Sequence, residues 1–138
     1  MILKIQKIHP EAKLPSFAYK DDAGMDLFSI EECELQPGEI KAIKTGLKIG
    51  IPNGYAGFIW DKSGLALEGL TTLAGVIDSG YQGEIKVVLK NLNQTPYFIQ
   101  KHQKIAQLII QKIEKPEIIE CELEKSERGE RGFGSSGL

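Results

Sequence analysis

Apolar residues recur at every second position in short runs along this chain: Leu47, Ile49 and Ile51; Ala56, Phe58 and Trp60; Ile85, Val87 and Leu89; Ala106, Leu108 and Ile110. Successive side chains of a β-strand point to opposite faces, so each run predicts a strand that buries one face. Between the runs lies turn chemistry, namely Gln36-Pro37-Gly38, Pro52-Asn53-Gly54, Asp78-Ser79-Gly80 and Asn93-Gln94-Thr95-Pro96. Such residues reverse a chain over short distances, which predicts an all-β, antiparallel sandwich or barrel. Ser63 to Leu70 is the exception. It predicts a helical turn or two, capped by Ser63, with Leu67 and Leu70 facing inward. Beyond Lys115-Pro116, residues Ile118 to Leu123 read as a last edge strand that leads into a charged linker.

The length of 138 residues suits one domain, and a chain of this size buries about two-thirds of its unfolded surface. A formal net charge of −2 and a pI near 5.7 lack the basic excess of a general nucleic-acid binder or anionic-membrane binder. Any phosphate chemistry must therefore use local cations. Met1 to Ile8 alternates and carries charge, so it reads as a strand and not as a signal peptide. No apolar run approaches the length of a membrane span, and the expected location is cytoplasmic. Cys33 and Cys121 are far apart, and His9 and His102 are isolated, which argues against a disulfide framework or a transition-metal site.

The end of the chain has a different character. Arg128 to Gly137 holds four glycines, two serines, two arginines and a single aromatic residue. Such a peptide buries almost nothing on its own. Its ordering needs a partner that uses backbone N–H groups, hydroxyls and guanidinium together, and a polyphosphate is such a partner. Gly132-Phe133-Gly134-Ser135-Ser136-Gly137 matches the G-x-G-x-x-G pattern, but a dinucleotide fingerprint follows a strand and opens a helix, so the Rossmann reading fails its context test here and is not expected. On composition alone the segment reads either as an arm that folds over a phosphorylated ligand or as a disordered tail. In the first reading Phe133 offers a flat face to a base and Arg128 a cation to developing charge. The division is then a β domain over residues 1–125 and a flexible arm over 126–138.

Five segments together resemble the motifs of the trimeric deoxyuridine triphosphatase (dUTPase) family, along nearly the whole chain. Ala23-Gly24-Met25-Asp26-Leu27 resembles the first, where Asp26 offers a carboxylate near a metal-triphosphate, directly or through water; taken alone, Asp26 reads as a turn or strand-end residue. Asp61-Lys62-Ser63-Gly64-Leu65-Ala66 resembles the second, where a cation, a hydroxyl and backbone N–H groups hold phosphate oxygens. Lys62 stands where the family usually has arginine, so a bidentate fork becomes a point charge. Ala74 to Ile85 resembles the third motif and reads as a hairpin, its mouth around Gly75, Val76, Ile77 and Lys86 presenting backbone groups to a uracil edge. Lys104 to Ile109 resembles the fourth, with Gln107 aimed at phosphate oxygens or the attacking water. His102 replaces a frequent glycine just before it, so the turn there is expected to differ in shape. The arm, with Arg128, Phe133, Gly134, Ser135 and Ser136, resembles the fifth.

The resemblance implies a distorted jelly-roll or sandwich-like barrel with one short helix. It also implies hydrolysis of dUTP to dUMP and pyrophosphate by water attack on the α-phosphate. In that scheme Asp78 is the general base, Tyr81 lies under the sugar and rejects ribose, and Lys62, Ser63 and Gln107 position oxygens. Arg128 meets transition-state charge, and Mg2+ is held mainly by the phosphates and water. The implied assembly is a homotrimer with sites between subunits. A dCTP deaminase, or a nucleotide-sensing protein that kept the grip and lost catalysis, are the competing readings.

Overall fold

The computed structural model describes residues 1–137; Leu138 lies outside them. Among the described residues eleven strands and one short helix follow one another as β1 (Lys4–Lys7), β2 (Met25–Phe28), β3 (Cys33–Leu35), β4 (Ile40–Lys44), β5 (Leu47–Gly50), β6 (Tyr55–Trp60), α1 (Ser63–Leu67), β7 (Leu70–Leu73), β8 (Val76–Ile77), β9 (Lys86–Asn91), β10 (Tyr97–Ile99) and β11 (Lys104–Lys112). They form four antiparallel sheets, in the orders β1-β5, β10-β3, β2-β11-β6-β8 and β4-β9-β7. Among the described residues the ladders do not close into a barrel. The all-β class holds, and Ile85, Val87, Leu89, Ala106 and Leu108 are buried as their alternation predicts.

The predicted turns form. Glu39 N–H donates to Gln36 O at 3.0 Å and Tyr55 N–H to Pro52 O at 3.1 Å, with Gly38 and Gly54 at φ +75° and +81°. Those angles favour glycine. His102 takes φ +65° itself, its N–H donating to Ser29 O at 2.7 Å. The turn before β11 thus keeps a left-handed residue where glycine is usual, and hydrogen bonding offsets the modest cost to a side chain.

Five local expectations are corrected. Ala56, Phe58 and Trp60 do lie on a strand, but Ile59 is buried and Trp60 is exposed. β6 sits between β11 and β8 with apolar residues on both faces, so alternation does not mark a single inner face there. Helix α1 begins at Ser63, with Lys62 at its N-cap and no side-chain cap bond. Leu65 is the buried residue and Leu67 is exposed, because two positions along a helix turn a side chain to the other side. Residues 118–123 form no strand within the chain; Ile118, Ile119 and Leu123 are exposed and no described edge pairs with them. Residues 74–85 are not a hairpin, since β8 pairs with β6 while β4 and β7 take both edges of β9.

Asn91 ties these layers together from within. Fully buried, its carboxamide donates to Leu35 O at 3.0 Å and Thr95 O at 2.9 Å and accepts from Asn93 N–H at 2.9 Å. Asn91→Ala leaves Leu35 O unpaired in the interior and strips the part-buried Thr95 O and Asn93 N–H of their partner, and an unpaired buried group costs about 1–3 kcal/mol. We expect urea unfolding to show stability lowered by about 3 kcal/mol; a loss below about 0.5 kcal/mol would show that water satisfies the stranded carbonyls.

Candidate active site

The site is built where β2, β6 and β11 lie side by side. Gln107 of β11 faces Asp26 of β2 on one side and Trp60 of β6 on the other. This register gathers the first, second and fourth motifs, because Asp61, Lys62 and Ser63 continue directly from β6.

Asp26 is 2% exposed. Its Oδ1 lies 2.5 Å from Lys62 Nζ and its Oδ2 2.7 Å from Lys104 Nζ, the latter without a well-directed hydrogen bond. Burial pushes the Asp26 carboxyl up, and the two ammoniums, Lys104 foremost, outweigh it and hold the group below its ordinary value. Lys104 is raised in return by the Asp26 carboxylate it faces.

A second knot sits beside the first. Asp61 accepts from Thr71 Oγ1 at 2.8 Å and from Thr72 N–H at 2.6 Å, while its own carbonyl accepts from Gln107 Nε2 at 2.9 Å. Burial raises the Asp61 carboxyl and the bonds from Thr72 and Thr71 more than offset it, so its pKa is lowered. Asp61 thereby fixes the start of α1 against β7 and sets the direction of the Gln107 carboxamide. That carboxamide passes directly over Gly24, where any Cβ would collide with Gln107 Oε1. Gly24 is small for this reason.

Val76, Ile77, Asp78, Tyr81, Glu84 and Lys86 surround a cavity of about 170 Å³. Five of these six belong to the residues expected to meet the base, the sugar and the attacking water. Asp78 is exposed at the rim, its carbonyl accepting from Tyr81 N–H at 3.1 Å. The Tyr81 hydroxyl donates to Glu84 O at 3.0 Å, fixing the ring across the cavity. Gly75 packs its backbone onto β6: its carbonyl accepts from Ile59 N–H at 2.8 Å, and a Cβ would come 2.8 Å from Ile59 O. The Gly75 carbonyl is therefore already engaged. The cavity wall includes none of Lys62, Ser63 and Gln107, nor any arm residue.

In the arm, Arg128 Nε donates to Arg131 O at 2.9 Å and Arg131 Nε to Arg128 O at 3.0 Å. Arg128, Arg131, Ser135 and Ser136 line a hollow of about 300 Å³, while the Phe133 ring is fully exposed. The arm thus gathers its own cations and hydroxyls, apart from Asp78.

Residues 10–137 match the family model described as dUTPase. The chain is 47% identical over 140 residues to the deoxyuridine 5'-triphosphate nucleotidohydrolase of Clostridioides difficile, covering 99% of this chain and 98% of that one. The chain belongs to the dUTPase family. The Clostridium kluyveri enzyme of the same name is 50% identical over 141 residues, covering 99% of both chains. The solved structure of Staphylococcus bacteriophage 80alpha dUTPase with dUpNHpp superposes with a TM-score of 0.93 at 34% identity, covering 99% of each chain.

Read from the sequence, Asp61 carried no role of its own. Asp61 adjoins Lys62, which was the one available signal; the bonds that define it come from Thr71 and Thr72 on another strand. The Mg2+ that the family implies does not fit a protein ligand set here. No group of three or more potential ligands occurs among the described residues, and both oxygens of Asp26 are held by ammoniums.

The Gly24 contact is testable. Gly24→Ala should fold with about 1–3 kcal/mol less stability, the usual cost of overpacking. Its crystal structure should show Gln107 Nε2 drawn away from Asp61 O; an intact bond would show that the side chain reaches its place without a glycine beneath it.

Proposed function

We propose that this chain is a dUTP diphosphatase, hydrolysing dUTP to dUMP and pyrophosphate and so limiting uracil in DNA while supplying dUMP for thymidylate synthesis. The observation that carries the reading is its full-length kinship with deoxyuridine 5'-triphosphate nucleotidohydrolases. The cavity bounded by Asp78, Tyr81 and Lys86 supports it.

Uracil enters between the backbone of Gly75 to Ile77 and Lys86, which reads its edge much as a pairing base does. Tyr81, braced by its bond to Glu84, lies flat under the deoxyribose and leaves no room for a 2′-hydroxyl. Ser63 and Gly64, at the start of α1, with Lys62 and Gln107, orient phosphate oxygens. Asp78 takes the proton from a water that attacks the α-phosphorus in line, and pyrophosphate leaves. Arg128 meets the negative charge that grows in the transition state, while Phe133 stacks on the base and Gly134, Ser135 and Ser136 close over the phosphates. Magnesium belongs to the substrate as its triphosphate complex.

The assembly is a homotrimer, with the sheets of residues 1–125 wrapped in the family's jelly-roll manner and the arm of residues 126–138 serving a site between subunits. The separation of the arm's cations from Asp78 within one chain supports this arrangement. Two free cysteines suit a reducing cytoplasm, and no helix among the described residues is long and apolar enough to cross a membrane.

Presented with each deoxynucleoside triphosphate, the protein should release pyrophosphate from dUTP and no ammonia from dCTP. Asp78→Asn should bind dUTP without turning it over. Ammonia from dCTP would instead select the deaminase, and near-normal turnover by Asp78→Asn would assign the base elsewhere. Arg128→Ala should lower kcat by at least about a hundredfold with the fold intact, a conservative figure beside the three to five decades known for arginine fingers. An unchanged kcat removes the arm's cation from the mechanism.

A further inference from the structure

The cation that the second motif offers to phosphate is already in use. Lys62 Nζ lies 2.5 Å from Asp26 Oδ1, and that carboxylate is 2% exposed. A guanidinium at this position has five donors in a planar fork and can hold a carboxylate and a phosphate together. An ammonium is a compact charge on a flexible stem. To serve a phosphate oxygen fully, Lys62 must give up most of its contact with Asp26. If it were the sole partner, its departure would leave a buried charge uncompensated, and that penalty would oppose binding.

Lys104 removes the obstacle. It comes from β11, independently of α1, and stands 2.7 Å from the other carboxylate oxygen. Its side chain is 49% exposed against 30% for Lys62. We propose that Lys104 is a positioning residue for triphosphate binding: it keeps Asp26 neutralised while Lys62 exchanges the carboxylate for a phosphate oxygen. Asp26 is then the resting counter-ion of a lysine pair and not a ligand of the substrate's metal. This role rests on the proposed function.

Calorimetric titration of the full-length protein with dUpNHpp and magnesium, and separately with dUMP, tests it. Lys104→Gln pins Lys62 to Asp26, so dUpNHpp affinity should fall about tenfold or more, the scale of one charged hydrogen bond. Affinity for dUMP, which lacks the distal phosphates, should stay within about twofold. Lys104→Arg should retain wild-type affinity. Asp26→Asn alone should bind dUpNHpp at least as well as wild type, because the anchor on Lys62 is gone. Combined with Lys104→Gln, it should restore most of the lost affinity. A merely structural Lys104 predicts parallel losses for dUpNHpp and dUMP and a double variant no better than the single one; either result overturns the proposal. So does weakened magnesium-dUpNHpp binding in Asp26→Asn, the mark of a metal ligand. Wild-type protein that neither binds dUpNHpp nor hydrolyses dUTP overturns the proposed function itself.

Discussion

A carboxylate buried to 2% exposure is tolerable only with charge beside it, and Asp26 has an ammonium on each oxygen. The two lysines come from distant parts of the sequence. One lies at the head of α1 and the other at the head of β11. Meeting both fixes β2 in position and register, since a one-residue slip would carry Asp26 away from its partners and turn Leu27 out of the core. The same interaction that anchors the fold thus also assembles the cationic face of the site.

Strand β11 transmits that order. It pairs with β2 on one edge and β6 on the other, so Gln107 lies level with Asp26 and with Trp60, the last residue before Asp61. The Gln107 carboxamide then closes a hydrogen bond onto the Asp61 carbonyl, and the Asp61 carboxylate holds β7. Three motifs scattered in sequence become one constellation through ladder geometry.

Strands and turns were legible because they depend on neighbours two to four residues apart. The runs 47–51, 85–89 and 106–110 needed no tertiary information. Features that depend on which edge is free were not legible. Residues 118–123 carry a fine strand pattern, yet a pattern makes no ladder without an edge to receive it. Trp60 shared the alternation of Ala56 and Phe58, but the two-sided burial of β6 sent Ile59 inward instead. At the site, Asp78, Tyr81 and Lys86 are close in sequence and proved close in space. Asp61 escaped notice because its partners sit on another strand. The lysine pair on Asp26 escaped for the same reason.

The arm poses an energetic question that its own composition answers. Ordering backbone costs about 1–2 kcal/mol per residue, and glycine is the most expensive to order. Within one chain residues 126–137 close only local hydrogen bonds and leave Phe133 fully exposed, so nothing there covers that cost. A ligand that offers only a base, or only phosphates, supplies half the contacts available to such a peptide. A ligand offering both engages the ring, the guanidinium and the serine hydroxyls together. Closure then becomes sensitive to the whole nucleotide, because marginal docking energy turns a modest loss of contact into a large loss of closed population. In the proposed closure a stiffer, apolar terminus would close over any triphosphate and discriminate less, whereas a glycine-rich arm that is costly to order would be selective.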